Sequence, residues 1–498
     1  MTALCTTHYS LGKTQMLLVQ SMMLGILVAL LSACSTNPAT GQRQFTALMS
    51  PAQENQIGAQ QHEAIVEQFG GEYDNPKLQA YVRELGARVA KNTERADVKY
   101  KFYLLDTPVL NAFAVPGGYI YTTRGVVAAA NSEAELAGVL AHEVGHITGR
   151  HSAERYSKGI LTAVGVTVAS AAIGNAAAAR ALGIGANLYS TSYSRGQESQ
   201  ADELGVRYLH RSGYDTFAMA GFLGQLEADH QLQQKITGKK NNVPTFFSTH
   251  PNTAGRVVTA SQIASTYPKG SSKQGRNRHM SMVNGMMYGD SSKQGFARGQ
   301  KFYHPELGFT FTAPNGYRIV NQTNQVLSVS NNGSVVILDV RDNKGRENPY
   351  NYIRRTWFKG EQLSDLENTT INGMRAATGS FDGQVDGRAV KIRVVAIEYS
   401  PTQIFRFQLG IPQGATAATV NALKNTTYSF RRMTAAEKKS VRPQRVRVVT
   451  ARNGDSIKSL SNRMDFANLK VERFIALNGL ESSDKIVSGR KYKIVVAK

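Results

Sequence analysis

The sequence predicts a multidomain chain: a mainly α-helical domain with a small β-sheet, then an α+β domain, then a small strand–helix–helix–strand module. Three patterns lead to this fold class. Between Pro51 and about Thr266, apolar residues recur at spacings of three and four, which is typical of amphipathic helices. Residues 301–433 alternate apolar and polar positions, which is typical of strands, and residues 446–498 combine both patterns. The length of 498 residues favours about three separate cores.

The N-terminus carries the features of an export signal. The apolar run MLLVQSMMLGILVALL, residues 16–31, is too short and too close to the start for a convincing membrane span. Leu31-Ser32-Ala33-Cys34 follows and resembles a bacterial lipobox, in which the signal is removed before the cysteine and the thiol is lipidated. The alternatives are a plain signal peptide or an anchor helix.

This resemblance implies a signal peptide over 1–33 and a lipidated Cys34. Ser35, rather than an aspartate, follows the cysteine, and in such lipoproteins this implies export to the outer membrane. We therefore expect a periplasmic protein anchored by lipid to the outer membrane. The chain has only two cysteines, Cys5 and Cys34. If Cys5 is removed with the signal peptide and Cys34 is lipidated, no free thiol is left, and the metal ligands should be His, Asp or Glu.

The charge of the chain indicates anionic surroundings. It contains 58 Lys and Arg against 36 Asp and Glu, a formal net charge of +22, with a pI near 9.8. Such a surface favours lipid head groups, cell-wall polymers or nucleic acid. No nucleic-acid-binding motif is visible, so we expect no nucleic-acid partner.

The remaining boundaries follow composition. We expect a tether over 34–50, the helical domain over 51–266, and a polar, Gly/Ser-rich linker or exposed arm over 267–300, in which SSKQG occurs twice. In the α+β domain, whose role the sequence does not indicate, VLSVSNNGSVVILDV predicts two strands around an Asn332-Gly333 turn. AVKIRVVAIEY and IFRFQLGI predict two more strands, and YNYIRRTWF a helix. A basic connector over 434–445 precedes the last module.

The last module, 446–498, resembles a LysM module over its full length. The resemblance depends on Gly454-Asp455-Ser456, the loop Leu477-Asn478-Gly479-Leu480, and Ile486 followed by Gly489. LysM modules bind N-acetylglucosamine polymers, so the resemblance implies peptidoglycan as a partner; the alternative is a degenerate copy kept for packing. Because the module contains no His or Cys, we expect it to localise the protein and to be dispensable for any chemistry.

The strongest chemical signal is LAGVLAHEVGHITGRHSAE, residues 136–154. Ser132 and Glu135 form a Ser-x-x-Glu capping box, which predicts a helix starting near Ser132. On that helix His142 and His146 are four residues apart, so both imidazoles point to one side and could bind one zinc ion. Glu143 is close enough to the first histidine to act as general base towards an attacking water.

His151 does not fit the ligand pattern. Zinc peptidases of the type H-E-x-x-H-x-x-G-x-x-H would place the third histidine at 152, which is Ser152. On a continuous helix His151 would lie about 140° away from His146 around the axis. We therefore expect His151 to have a supporting or structural role.

The third ligand should be a carboxylate from another helix. SRGQESQADELGVRYL places Glu198 and Asp202 four residues apart on one face. Glu198 could complete a site for one zinc ion per chain, and Asp202 could accept the N–H of a ligand histidine. The alternative is a pair of solvated carboxylates on a helix surface.

Three separated motifs together resemble the gluzincin peptidase family of the CAAX prenyl protease and the HtpX protease, especially its soluble exported bacterial members. They are HEVGHITGRH, the E-x-x-A-D of Glu198–Asp202, and NAFAVPGGYIYTTRGVV at 111–127. The resemblance covers roughly residues 50–265 and implies a zincin-type peptidase domain. Periplasmic members often carry tetratricopeptide repeats, which are not visible here, so a shared set of partners is not implied.

Two further segments could contact a substrate. Asn111-Ala112-Phe113, before the Pro116-Gly117-Gly118 turn, has the pattern of an edge strand that could pair with an extended chain; the alternative is an ordinary hairpin. Thr249-His250-Pro251, with Arg256 shortly after, resembles a downstream element of the family. His250 could donate to an oxyanion or take the fourth zinc position, or it could be a structural histidine at a helix start.

Three functions therefore compete. The first is a zinc endopeptidase acting on unfolded or misassembled cell-envelope proteins. The second is a peptidoglycan peptide hydrolase targeted by the LysM-like module, and the third is a non-enzymatic assembly factor or holdase. The intact HEVGH and Glu198 disfavour the third, and the edge strand with the family resemblance favours the first over the second.

Overall fold

The structure is a computed structural model that describes residues 34–171, 192–237, 250, 253–268, 273–330, 332–385 and 387–497. The predicted signal peptide over 1–33 lies outside the described residues. No helix within the described ranges is long and apolar enough to cross a membrane.

The first part of the chain is mainly helical, as predicted. Its strands are β1 Cys34–Thr36, β2 Arg43–Phe45, β3 Lys101–Leu105, β4 Ala112–Val115 and β5 Tyr119–Thr123. Its helices are α1 Pro51–Gln68, α2 Pro76–Ala90, α3 Arg124–Ala129, α4 Glu133–Thr148, α5 His151–Ala171, α6 Arg195–Arg211, α7 Ala218–Thr237, α8 Thr253–Ser265 and α9 Arg276–Val283.

The small sheet has the strand order β3-β5-β4, with β3 parallel and β4 antiparallel to β5. Among the described strands β4 therefore occupies an edge, directly after Asn111. Apolar residues of this sheet and of α2, α4, α6 and α7 form one core, in which Leu140, Val144 and Leu204 are at most 1% exposed. The helix that carries the HEVGH motif thus lies inside the domain.

Helix α4 begins where the sequence predicted. The hydroxyl of Ser132 accepts the Glu135 N–H at 3.1 Å. The reciprocal bond differs, because the Glu135 carboxylate accepts the N–H of Asn131, one residue further back, at 2.7 Å. At the other end Arg150 has φ 51°, so the chain turns sharply and a new helix starts at His151.

The predicted tether over 34–50 is wrong. β1 and β2 pair as an antiparallel hairpin that packs onto the C-terminal end of α4. Buried Asn37 donates to the carbonyl of Thr148 at 2.9 Å, and buried Gln44 donates to the carbonyl of Gly149 at 2.7 Å. The last carbonyls of a helix have no partner within it, and these two amides supply one.

The predicted linker or exposed arm over 267–300 is also wrong in large part. It contains α9, together with the strands β6 Met287–Tyr288 and β7 Phe296–Arg298. Met280, Val283 and Met286 are at most 2% exposed. A few well-spaced apolar residues anchor a segment that is polar on average.

The α+β domain forms two antiparallel sheets. Its strands are β8 Lys301–His304, β9 Phe309–Thr312, β10 Arg318–Asn321, β11 Val326–Val329, β12 Val335–Asp342, β13 Ser364–Ile371, β14 Met374–Val385, β15 Arg388–Ser400, β16 Gln403–Pro412 and β17 Arg431–Arg432. The larger sheet has the order β10-β11-β12-β16-β15-β14-β13, and the smaller has the order β17-β9-β8-β7. Its helices are α10 Pro349–Asn351, which continues as a π-helix over Tyr352–Trp357, and α11 Ala417–Tyr428.

The sequence-based assignments in this domain are confirmed. β11 and β12 flank the Asn332-Gly333 turn, where Gly333 has φ 88°. The two predicted strands that follow are β15 and β16, which pair with each other. Phenylalanines of both sheets, such as Phe311 and Phe407, share one core.

The C-terminal block has the predicted order of strand, helix, helix, strand. Its elements are β18 Gln444–Thr450, α13 Ile457–Asn462, α14 Lys470–Asn478 and β19 Lys491–Ala497. A short helix, α12 Ala435–Ser440, precedes the block in the basic connector. β18 pairs with β19 on one side and with β6 on the other. The block therefore joins a sheet with the segment that follows the helical domain, and it is not a separate unit on a linker.

Candidate metal centre

Two helices bring the predicted ligands together. His142 and His146 lie one turn apart on α4, and their Nε2 atoms are 3.0 Å from each other. Glu198, in the first turn of α6, has carboxylate oxygens 3.5 Å from each of these two nitrogens. All three side chains are at most 2% exposed.

His250 completes a four-residue cluster. Its Nδ1 lies 2.9 Å from Glu198 Oε1 and 3.3 Å from His142 Nε2, and its Nε2 lies 3.5 Å from Glu143 Oε1. One donor atom from each of His142, His146, Glu198 and His250 lies within 4.8 Å of the others. This histidine, 52 residues beyond Glu198 in sequence, thus stands beside the three predicted ligands.

The electrostatics of the cluster favour a positive charge. Burial alone would lower the pKa of His142, but the carboxylates of Asp202 and Glu198 raise it to about 9. Burial opposes ionisation of Glu198, yet its attraction to His250 and its hydrogen bond with His142 hold its pKa well below the usual value. Burial lowers the pKa of His146 well below its ordinary value, which leaves this imidazole neutral. A cation between these groups would take the place of the proton on His142.

Asp202 supports the first histidine. Its Oδ1 lies 2.9 Å from His142 Nδ1, which directs the Nε2 lone pair of His142 into the cluster. Arg256 in turn binds Asp202 at 2.7–2.8 Å and Glu198 Oε2 at 2.7 Å. Sequence reasoning noted Arg256 without assigning it a role; two buried carboxylates that need a counter-charge are the signal that could have found it.

A chain of hydrogen bonds supports the second histidine. The amide nitrogen of Gln200 donates to the side-chain oxygen of Gln42, which leaves Gln200 Oε1 facing His151. This oxygen therefore accepts a hydrogen bond from His151 Nε2 at 3.0 Å. With that proton on Nε2, the Nδ1 of His151 is the acceptor for His146 Nδ1, 2.8 Å away. The Nε2 lone pair of His146 then faces the cluster. His151 thus lies behind a predicted ligand and outside the cluster.

The turn at Gly149 and Arg150 aims His151 back at His146. Arg150 has φ 51°, and its guanidinium is held by Glu54 at 3.0 Å and by the Met49 carbonyl at 2.7 Å. A Cβ at Gly149 would collide with the His151 ring. His151 follows His146 by five residues, one fewer than the ligand pattern requires. The same spacing, with the turn at Arg150, places its ring behind His146.

Glu143 is fully buried beside the cluster. Burial raises the pKa of its carboxyl group above the usual value. Within the part of the chain that the structure describes, neither of its oxygens accepts a hydrogen bond, although His250 Nε2 lies 3.5 Å from Oε1. A carboxylate in this position can accept a proton from a molecule in the site.

Tyr193, which sequence reasoning missed, stacks on His146 with ring centroids 3.7 Å apart and an interplanar angle of 15°. Arg155 lies over the Tyr193 ring at 4.1 Å. His146 and Tyr193 border a small cleft that also touches β4 at Ala114 and Val115. The cleft therefore connects the cluster with the edge strand of the small sheet.

The donor set fits zinc. Two imidazoles and one carboxylate from two helices are a common catalytic zinc set, which leaves a further position for a reacting molecule. With a buried carboxylate next to the first histidine, this arrangement defines the metallopeptidase class of site.

The comparisons with known proteins agree with that class. Residues 76–264 match the model of peptidase family M48. The beta-barrel assembly-enhancing protease of Yersinia pestis is 34% identical over 198 residues, which cover 38% of this chain and 39% of that protein. The protein of the same name from Escherichia coli (strain K12) is 29% identical over 257 residues, 49% of this chain and 50% of that protein. The mitochondrial metalloendopeptidase OMA1 of Schizosaccharomyces pombe is 27% identical over 179 residues, 36% of this chain and 50% of that protein.

The chain thus spans two fifths to half of the length of these relatives. The resemblance found in the sequence is confirmed for the segment 76–264 at the level of peptidase family M48. The lipid anchor and the LysM assignment stay predictions.

Proposed function

We propose that this protein is a zinc-dependent endopeptidase acting on unfolded or misassembled cell-envelope proteins. The observation that carries the proposal is the buried cluster of His142, His146, Glu198 and His250 beside Glu143, inside a segment that matches an M48 peptidase. The names of the bacterial relatives, beta-barrel assembly-enhancing proteases, support the substrate class.

The residue roles follow from position. We assign His142, His146 and Glu198 as the zinc ligands and Asp202 as the group that orients His142. When bound, zinc would supply Lewis-acid activation of water and of the scissile carbonyl.

Two residues would handle protons and charge in this reaction. Glu143 takes a proton from the attacking water and passes it to the leaving amine. His250, within 3.5 Å of Glu143, could donate to the oxyanion of the reacting carbonyl. Alternatively, His250 could be a fourth zinc ligand. The distance of 2.9 Å between its Nδ1 and Glu198 Oε1 fits this role as well as the first.

An extended substrate could add to β4, which is an edge strand among the strands that the structure describes. The sequence pointed to Asn111, Ala112 and Phe113 for this contact. The cleft beside His146 touches the same strand further along, at Ala114 and Val115. We therefore place the pairing towards the C-terminal half of β4. Pairing through main-chain groups reads little of the substrate sequence, which suits unfolded clients.

We further propose a periplasmic location with a lipid on Cys34 that attaches the protein to the outer membrane. The lipobox-like sequence before Cys34 supports this location, and the net charge of +22 fits an anionic membrane and cell wall. A peptidoglycan contact through residues 446–498 is supported by the LysM-like motifs and by their strand–helix–helix–strand order.

The test compares two substrates on one preparation. Purified protein is analysed for zinc and then assayed on casein and on purified peptidoglycan sacculi, with Glu143→Gln as the matched control. We expect one zinc per chain and casein cleavage that the variant lacks. Release of wall peptides without casein cleavage would favour the peptidoglycan hydrolase, and zinc-loaded protein inactive on both would favour the holdase.

A further inference from the structure

A buried lysine of the C-terminal block reaches into the helical domain. Lys493, in β19, is 0% exposed, and its Nζ lies 2.7, 2.8 and 2.7 Å from the carbonyl oxygens of Ala128, Ala129 and Ala130. These carbonyls lie at the C-terminal end of α3 and in the turn that leads into α4. The sequence had predicted that this block only localises the protein.

The chemistry of the contact is specific. The three carbonyl oxygens match the three N–H donors of an ammonium group. Burial lowers the pKa of Lys493, and the Glu135 carboxylate opposes that lowering. The C-terminal end of a helix carries partial negative charge, which favours a cation there. Removing a lysine ammonium from water is costly unless such partners replace the lost hydration. The helical domain supplies these partners, so block and domain form one folded unit.

Other side chains hold the same turn. Asn131 Nδ2 donates to Gln225 Oε1 at 3.0 Å, and the Gln225 amide also donates to the carbonyl of Ala476 in α14. Arg276 bridges the carbonyls of Asn131 and Lys491, each at 3.0 Å. The residue that immediately precedes the cap of α4 is thus linked to two elements of the C-terminal block.

The approach of the block is close at Gly479. A Cβ there would lie 2.6 Å from Gln225 Oε1 and 3.1 Å from Asn131 Nδ2. Gly479 also has φ 59°, a conformation that glycine adopts without strain. The loop that matched a LysM motif in the sequence is therefore part of this contact.

The contact bears on the site because α4 is one continuous helix over Glu133–Thr148. Its N-terminal end is held at Ala130 and Asn131, and its C-terminal end is held by Asn37 and Gln44. His142 and His146 lie between these ends, whereas Glu198 comes from α6. A shift of either end would change the distances between the histidines and Glu198, and ligand sites tolerate little displacement.

We propose that residues 444–498 are a built-in clamp that fixes the N-terminal end of the active-site helix, with Lys493 as its positioning residue. The block is therefore part of the catalytic unit and is not dispensable for cleavage. The activity readout below rests on the proposed peptidase function, whereas the binding and exchange readouts do not.

The first test asks whether the block stays bound without its covalent link. A recognition site for a specific protease is placed after Ser440, in the connector helix α12, which has no buried residue. The full chain, carrying Glu143→Gln to prevent self-cleavage, is cut there and passed over a sizing column. We expect the fragment from 441 onwards to co-elute with the rest. If the fragment from 441 onwards, with its sequence unchanged, separated from the rest of the chain at micromolar concentration, the proposal would be overturned.

The second test measures hydrogen exchange of residues 128–140 in the full chain. Lys493→Met should speed exchange about tenfold or more, because it removes three hydrogen bonds from a buried turn. Lys485→Met, an exposed lysine of the same block, is the control. With casein peptides, Lys493→Met should lower kcat and leave KM unchanged.

Exchange in Lys493→Met equal to that of the Lys485→Met control would overturn the proposal. If Lys493→Met does not fold, Gln225→Ala replaces it, with Gln231→Ala, an exposed glutamine of the same helix, as control. Gln225→Ala should speed the same exchange, and an unchanged rate would equally refute the clamp. A wild-type protein without peptidase activity would contradict the proposed function. Co-elution of the fragment and hydrogen exchange would still decide whether the C-terminal block is a clamp.

Discussion

His151→Ala should weaken zinc binding without abolishing it. The substitution removes the acceptor for His146 Nδ1, 2.8 Å away, and the donor for Gln200 Oε1, 3.0 Å away. His151 is 0% exposed, so water does not readily replace it. A buried polar group left without its partner costs about 1–3 kcal/mol, and about 1.4 kcal/mol corresponds to tenfold in an equilibrium constant. The expected loss of zinc affinity is therefore about 10- to 100-fold, as is usual for groups that orient a metal ligand.

The assay is competition for zinc against a chromophoric chelator, with His146→Ala for comparison. We expect His151→Ala to reach one zinc per chain at saturation with a raised dissociation constant, and His146→Ala to stay below that occupancy. If His151→Ala also failed to reach one zinc per chain while folded, His151 would be a ligand. If its affinity equalled that of the wild type, the hydrogen-bond chain through Gln200 would have no role.

The remaining predictions concern the same site. Glu143→Gln should keep zinc but lose casein cleavage about 10²- to 10⁴-fold, as expected for loss of a general base; wild-type activity with full zinc would reject this role. His142→Ala and Glu198→Ala should each lose zinc on dialysis, measured by metal analysis, and full retention by either would remove it from the ligand set. Arg256→Met should lower the free energy of unfolding in urea by about 3–5 kcal/mol, because it leaves two buried carboxylates without their counter-charge; a loss no larger than that of Arg211→Met, whose side chain is 43% exposed, would contradict this. Removal of zinc by EDTA should abolish casein cleavage reversibly, and persistence of cleavage in metal-free protein would argue against a metallopeptidase.

The site illustrates how far local spacing can be taken. The interval between His142 and His146 equals about one helical turn, so their shared orientation was predictable without tertiary information. The same argument placed Glu198 and Asp202 on one helix face. It could not pair either carboxylate with a particular histidine, because that depends on how α4 and α6 pack.

Tyr193 and Arg256 show the complementary limit. Tyr193 lies 47 residues from His146 in sequence, and no spacing rule connects an aromatic residue outside a helix with a histidine inside another. The Arg256 guanidinium contacts Asp202 and Glu198 only because α8 packs against the site. Such contacts follow from the shape of the core and not from periodicity.

The errors about organisation have one physical cause. The segments 34–50 and 267–300 are polar on average, and average polarity predicted a tether and an arm. A few buried side chains, Asn37 and Gln44 in the first and Met280 and Val283 in the second, dock these segments onto the helical domain. Burial of a few residues outweighs average composition whenever the domain offers apolar surface or unpaired carbonyls to meet them.

By itself, the sequence determined the helix that carries His142, Glu143 and His146, the donor types of the site, the strands of the α+β domain and the element order of the C-terminal block. These features depend on periodicity, turn residues and caps, which act over a few neighbouring positions. Only the tertiary structure decided that His250 and Arg256 join the site, that His151 lies behind His146, and that Lys493 closes onto the turn before α4. Each of these contacts joins residues whose helices or strands meet through packing of the core, and packing depends on the whole chain at once.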